Sequence, residues 1–508
     1  MTTTIRWVTE RWRWVLLPML AFVALASWAF ASPVGASPDD DYHLVSIWCA
    51  SGGSEYCEQG SEPQLRVVAQ GFREMICFAQ DPKVSAGCQD GLWARWSADS
   101  YETKRGNFYG EYPPVYYGVQ RLFAGDDVQF SALVMRLVNA ALFVGLATAL
   151  AALSTPSRRR TVVLGWAISL VPLGMFLISS NNPSGWALTG VGTAFVALLG
   201  WMEQQGGRRW VLGALYLVGV VMAAGSRGDA AAYVAGATVT ALIITFARTR
   251  PWLVRAALPA VGLVISAILL TMAGQAAVGS TGFTGGGSNL DALGDAETPA
   301  TTLGLIAYNV LMIPFLWTGV WGSWGLGWLD TMMPAVVLWG AAGTFVVVGF
   351  AGLRGASVRK MIVLGGVLTV LVSLPVYVLT KGGDTVGSSV QPRYLLPLIA
   401  LLCFLLVTES GARPAGFGRL QTAVLLAALS AANLVALQVN IRRYVTGIDQ
   451  QGADLDAGSE WWWSGSVLGP NAVWLIGSVA FAGALALVWP FLREGVETQP
   501  RASKHADA

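Results

Sequence analysis

The sequence predicts an all-α fold: a polytopic transmembrane bundle of about twelve helices with one long extracytoplasmic loop near its start. Three observations predict it. Of 508 residues, 54% are hydrophobic and 12% are charged, about half the charged share of a soluble protein. Mean hydropathy is +0.54, and long uncharged apolar runs recur to the end of the chain. Basic residues fall in short loops between those runs, so the positive-inside rule can orient them. The net charge of +2 is too small to suggest a nucleic-acid partner.

The elements follow in order. Arg6, Arg11 and Arg13 precede an apolar run from about Trp14 to Ala31, so the N-terminus is expected in the cytoplasm. Ala29-Phe30-Ala31 resembles a signal-peptidase site, but a chain with this many later spans needs no separate export signal, and residues 1–32 read as a retained anchor.

Residues 33–127 form the largest external loop and hold Cys49, Cys57, Cys77 and Cys88. Four thiols in one polar loop indicate two disulfides on an oxidising face, with three connectivities open. Near neighbours close most cheaply, which favours Cys49–Cys57 and Cys77–Cys88. A zinc site is the alternative, but no C-x-x-C pair is present. In the same loop Leu65, Val68, Ala69, Phe72, Met75 and Ile76 repeat at helical spacing. That pattern predicts an amphipathic helix, lying in the interface or packed in a small subdomain. Glu111-Tyr112-Pro113-Pro114-Val115-Tyr116-Tyr117 reads as an extended aromatic strip.

Apolar runs then recur near 129–153, 161–178, 186–202, 210–224, 230–247 and 256–273, giving helices two to seven of a unit over 128–273. Arg158 to Arg160, Glu203 to Arg209, and Arg248 to Arg255 mark the cytoplasmic loops. Residues 274–303 are rich in Gly, Ser and Thr and read as a flexible external loop. The run 304–321 raises a parity problem: if it crosses, every later basic loop inverts. It is therefore expected to be re-entrant or surface-lying, within an external unit over 274–333. Helices near 334–352, 361–380, 394–408, 421–440 and 471–491 complete the bundle, and 492–508 is a cytoplasmic tail. Both termini are then cytoplasmic.

By this count one face gathers the residues that can do chemistry. Ser37-Pro38-Asp39-Asp40-Asp41-Tyr42-His43 places three carboxylates and one of the two histidines just past the first span. One Asp can cap a helix; three exceed what a cap needs. Asp39, Asp40 and Asp41 are the candidate catalytic acids or bases, and Asp39 and Asp41 are also candidate ligands for Mg²⁺ or Mn²⁺. His43, Glu111, Tyr112, Tyr116, Arg136, Arg227, Asp330, Arg393 and Tyr394 are the candidate substrate contacts. Acids with arginines on an external face suit chemistry in which phosphate departs. Nucleotide sugars are absent there, so a lipid-linked donor is implied, with membrane lipid and an envelope glycan or other acceptor as partners. No P-loop, dinucleotide fingerprint or H-E-x-x-H competes.

These motifs carry a resemblance. An acidic cluster opening a long loop after the first span, followed by a Pro-Pro-aromatic strip, resembles the GT-C glycosyltransferases that use polyprenyl-phosphate sugars. More closely, the chain resembles a bacterial multi-pass family catalogued as domain of unknown function 2142. Ser37 to His43 is similar to that family's small-Pro-Asp-Glu-x-x-His start, Tyr112-Pro113-Pro114 to its Tyr-Pro-Pro strip, and Gly327-Trp328-Leu329-Asp330 and Gln391-x-Arg393-Tyr394 to its later signatures. Pro392 stands where Gly is expected, and Asp40 or Asp41 where Glu is expected; neither change removes a charge. The resemblance implies a bacterial plasma-membrane glycosyltransferase. The alternative class is a transporter or flippase of an anionic or lipid-linked envelope precursor, which calls for midplane charges, inverted repeats and broken helices.

Overall fold

A computed structural model describes residues 2–52, 56–274, 301–409, 416–463 and 466–493. The expected Gly/Ser/Thr-rich loop falls almost wholly on 275–300, outside the described residues.

Apolar composition dictates the architecture, because a backbone in lipid must satisfy its own hydrogen bonds. Among the described residues, eleven helices are long and apolar enough to cross a membrane. Pro392–Val407 is a shorter apolar helix. The run expected over 161–178 is instead two pieces, Pro156–Ser169 and Leu173–Ile178. The break falls at Pro172, which has no backbone N–H to continue the ladder. Pro183–Glu203 is buried at every residue from Pro183 to Met202. It packs most extensively on Gly207–Ala224 through Gly190 and Gly219. A Cβ on Gly190 would lie 2.6 Å from the Gly219 carbonyl oxygen, so only the smallest residue permits this approach.

The bundle has two chemically distinct ends. At one, basic side chains bind the last carbonyls of the helices ending there, groups that otherwise lack partners. Lys360 Nζ donates to the carbonyls of Gly352 (2.7 Å), Leu406 (2.7 Å) and Thr408 (2.8 Å). Arg160 Nε donates to Phe491 O (2.8 Å), Arg359 to Phe246 O and Arg255 to Met202 O. Arg158 forks onto Glu203 (2.6 and 2.9 Å). The residues read as orientation signals thus also finish the helices. The first helix begins, and Pro470–Arg493 finishes, at this same end, where Arg159 lies over Trp14 (4.5 Å).

The opposite end carries residues 31–127. Disulfides Cys49–Cys57 and Cys77–Cys88 pair as near-neighbour closure favours. The amphipathic-helix reading of 65–76 is overturned. Arg66–Ala69 is the central strand of a three-stranded antiparallel sheet between Cys57–Gln59 and Ser100–Thr103, and only Gly71–Glu74 is helical. The β-branched pair Val67-Val68 takes strand partners, and tertiary pairing overrides a chance helical spacing. Phe72, Trp96 and Trp48 form the small core beneath. The aromatic strip is not extended throughout either, since a helix starts at Val115 directly after Pro114.

The segment Thr302–Thr318, with a 3-10 turn to Trp321, meets the length and apolarity of a span. Its bonds track its depth. Asn309 donates to Asp384 O (3.0 Å) and accepts from Val386 N (2.9 Å), just past the acidic-end terminus of Val358–Gly382. Trp317 Nε1 donates to Leu371 O (3.2 Å), midway along that helix. Trp321 Nε1 reaches Ile168 O (3.1 Å) at the break in the interrupted span. Trp328 Nε1 is back beside the acidic cluster, donating to Gly35 O (2.8 Å). We therefore expect both ends of this segment on one side of the membrane. Cysteines introduced as Lys104→Cys and Arg354→Cys should react with a membrane-impermeant maleimide from opposite sides. Labelling of both from the same side would show that the segment crosses. Background is low, since the one free cysteine among the described residues, Cys403, is buried.

Candidate functional site

The site begins with a turn. Asp39 has φ 60°, in the left-handed region that Asp tolerates better than most residues, and precedes the helix Asp40–Trp48. Its side chain makes no capping bond, so it is not the simple N-cap that one Asp would be. Its neighbour Asp40 points inward and is fully buried. Asp40 Oδ2 accepts from the backbone N–H of Gly35 and Ser37 (both 3.2 Å) and lies 3.9 Å from Arg136. Burial pushes the Asp40 carboxyl up to about 7, against the pull of Arg136. Arg136 is itself sealed in, donating to the carbonyls of Ser32 (2.6 Å), Pro33 (2.9 Å) and Ala29 (3.2 Å). Asp40 and Arg136 hold the turn.

With the turn fixed, Asp39 is aimed at Arg393, which opens the helix Pro392–Val407. Arg393 Nη2 donates to Asp39 Oδ2 at 2.6 Å and to Tyr394 OH at 3.1 Å. Its Nε is buried without a partner among the described residues. An arginine in a helix's first turn opposes the helix dipole, and the Asp39 carboxylate offsets that. On its other side Asp39 meets Arg105 at 3.1 Å, and Arg105 also binds Asp41 (2.8 Å). Burial alone would raise the Asp39 pKa, but the guanidiniums of Arg393 and Arg105 outweigh it and hold the carboxyl well below the usual range.

A second guanidinium completes the cluster. Arg227 is gripped bidentately by Asp229 (2.8 and 2.9 Å) and lies over the rings of Tyr394 (4.7 Å) and Tyr112 (5.7 Å). Arg393 lies 5.0 Å from the same Tyr394 ring. Tyr112 is clamped through its backbone by Asn107, which accepts and donates at 2.9 Å. His43 Nδ1 shares a hydrogen with Tyr117 OH (2.9 Å), and burial pushes its pKa down to about 3, so the imidazole is neutral. Tyr42 OH donates to Glu111 (2.8 Å). Arg227 and Arg393 are buried, whereas Asp39 and Arg105 keep 34% and 47% of their side chains accessible. The cluster therefore opens at Asp39.

A model of the family described as "Predicted membrane protein (DUF2142)" matches residues 22–402. The chain belongs to this family. No curated protein matches it. The stretch shared with DUF2142 contains the whole cluster from Asp39 to Tyr394, whereas Arg443 lies beyond it.

Not every predicted residue within that stretch converges on the cluster. Asp39, Asp41, His43, Glu111, Tyr112, Arg227, Arg393 and Tyr394 gather around the opening. Asp330 does not; it pairs with buried Arg443 (2.7 Å), which also binds the carbonyls of Val84, Phe78 and Asp81 and so ties the disulfide-bonded loop to the bundle. Tyr116 is buried against Trp186 (5.3 Å). Arg105 and Tyr117 were not singled out from the sequence. An arginine in a polar loop that also holds Arg66, Arg73 and Arg95 gives no spacing signal, while Tyr117 stood in the quoted strip without a role. The carboxylates offered to Mg²⁺ or Mn²⁺, Asp39 and Asp41, share Arg105, a cation already in place. Among the described residues no three His, Cys, Asp or Glu side chains gather as a metal group.

The three acids should consequently separate on mutation. Asp40→Asn keeps an acceptor for Gly35 and Ser37, in a site that already favours the neutral form, and should cost about 1 kcal/mol. Asp39→Asn strands the buried Arg393. Breaking a buried pair costs about 3–5 kcal/mol, and partial exposure of Asp39 takes the cost below that range. Thermal melting of the two variants checks the order; equal losses would contradict it.

Proposed function

We propose that this protein is a GT-C-type glycosyltransferase of the bacterial plasma membrane, moving a sugar from a polyprenyl-phosphate donor to an envelope acceptor on the extracytoplasmic face. The observation that carries the reading is the placement of two buried guanidiniums, Arg227 and Arg393, on one tyrosine ring, with the accessible Asp39 carboxylate on Arg393. Guanidinium forks suit a phosphate, and rings such as Tyr112 and Tyr394 offer a sugar a stacking face.

In this reading the donor phosphate takes the place of Asp39 on Arg393. Asp39, released, accepts the proton of the acceptor hydroxyl. The acceptor oxygen bonds to the anomeric carbon as the bond from that carbon to the phosphate oxygen breaks. Polyprenyl phosphate leaves with the electron pair, its charge met by Arg393 and Arg227. A single displacement inverts the anomeric configuration. Neutral His43 fixes Tyr117 and takes no proton. Both termini are cytoplasmic in this orientation, and the basic loops agree with it.

The transporter reading has one observation in its favour. The interrupted span at Leu170–Pro172 and the Trp321 turn meet at mid-depth, and broken helices mark many transport sites. Purified protein in vesicles, given a panel of labelled polyprenyl-phosphate sugars, separates the two. Label appearing on an added glycan acceptor supports transfer. Label that changes leaflet while remaining on the polyprenyl phosphate supports transport and sinks the transferase reading.

A further inference from the structure

The end of the bundle that carries the basic loops holds a cavity of about 610 Å³, lined by Trp201, Arg209, Trp210, Arg250 and Arg255 together with apolar residues of the helix Ala257–Thr271 and the short helix Arg250–Arg255 before it. It is remote from the Asp39 cluster. Arg209 is fixed in it by two rings, its guanidinium carbon 4.9 Å from both Trp201 and Trp210. The Nε atoms of Arg209 and Arg255 are buried without a hydrogen-bond partner among the described residues. Among the described residues no carboxylate lines the cavity. Glu203, the nearest acid in the chain, is spent on Arg158. The helix Gly207–Ala224 that carries Arg209 has no acidic residue in its first turn, where its dipole adds further positive potential. Three guanidiniums thus share one cavity with no carboxylate among the described residues beside them, and Arg255 also donates to Met202 O.

The remaining wall says what the anion is attached to. Val254 and Val261 are 68% and 50% exposed and Trp210 is 64% exposed, on two segments, Arg250–Thr271 and Gly207–Ala224, each apolar enough to span a membrane. Their surroundings are lipid, and tryptophan favours the headgroup level.

We propose that this cavity binds the headgroup of an anionic phospholipid, with the phosphate on Arg209, Arg250 and Arg255 and the acyl chains along Val254 and Val261. Arginine forks match phosphate oxygens, and basic pockets between spans on the cytoplasmic side suit acidic headgroups. A zwitterionic lipid carries the same phosphate, but its ammonium would face the three guanidiniums. The site does not depend on the transferase reading.

The test is native mass spectrometry of the purified full chain in detergent with equimolar phosphatidylglycerol and phosphatidylcholine. Wild-type protein should retain phosphatidylglycerol at least tenfold more than phosphatidylcholine, and millimolar inorganic phosphate should not displace it. The double variant Arg209→Gln/Arg250→Gln should lose that preference about tenfold, while Arg354→Gln/Arg419→Gln, on the same face but outside the cavity, should keep it. Equal retention of the two lipids by wild-type protein overturns the proposal without any variant. Displacement by inorganic phosphate makes this a free-anion site and overturns it as well, as does a folded double variant with undiminished preference.

Discussion

Arg393→Lys is expected to raise the dissociation constant for a polyprenyl-phosphate donor by about 10- to 100-fold, the worth of one or two charge-assisted hydrogen bonds. The charge survives the change; the fork does not. Arg393 now bonds Asp39 and Tyr394 from one nitrogen and Pro38 O from the other at 3.4 Å, a spread an ammonium at the end of a flexible stem cannot copy. Because Arg393 is buried, lysine there would also be desolvated with fewer donors to offer. The expected outcome is weaker donor binding with a smaller change in the rate at saturating donor. Arg227→Lys should follow the same pattern, since the bidentate grip of Asp229 requires the guanidinium fork and a lysine would also shift the cation from the Tyr394 and Tyr112 rings. Equilibrium binding of a labelled donor measures both. Unchanged affinity in the two variants would remove the arginines from the donor site.

What could be read from the chain differs from element to element for physical reasons. The spans were legible because lipid demands long apolar runs, and the basic loops because they break those runs. The disulfides were legible because loop closure favours near neighbours. The strand Arg66–Ala69 was misread since Leu65, Val68, Phe72 and Met75 satisfy a helical spacing by chance, and the partners that decide the matter, Cys57–Gln59 and Ser100–Thr103, lie elsewhere in sequence. The acidic run was legible as a cluster but not as three roles. Asp40 and Asp41 point about 100° apart on the helix and Asp39 sits in the left-handed turn before it, so Asp40 enters the interior while Asp39 and Asp41 stay at the opening. The Asp39–Arg393 bond joins residues 354 positions apart; no local pattern predicts it, and the charge-derived topology placed both ends on one face without pairing them. Arg105 carried no pattern at all.

Asp39→Asn has the largest expected effect, a loss of about 10²- to 10⁴-fold in transfer rate if Asp39 is the general base. At rest Asp39 is a weak base, because its neighbours hold it ionised. Its folded-state pKa is depressed, so the stability it contributes is present above the unfolded value near 4 and is lost as pH falls through the folded value. Donor phosphate that draws Arg393 away removes the main depressing charge and raises the pKa of the carboxylate toward one useful for catalysis. The acidic limb of the transfer rate at saturating donor should therefore lie at higher pH than the titration of Asp39 in the free protein.

The most direct test compares transfer rate and donor affinity in wild-type protein, Asp39→Asn, Asp40→Asn and Asp41→Asn under one set of conditions. Asp39→Asn alone is expected to lose the rate at least a hundredfold while still binding donor, because of the three acids only Asp39 is both accessible and joined to Arg393, the arginine proposed to receive the phosphate. Near wild-type transfer by Asp39→Asn would contradict this and leave the acidic run as a structural turn.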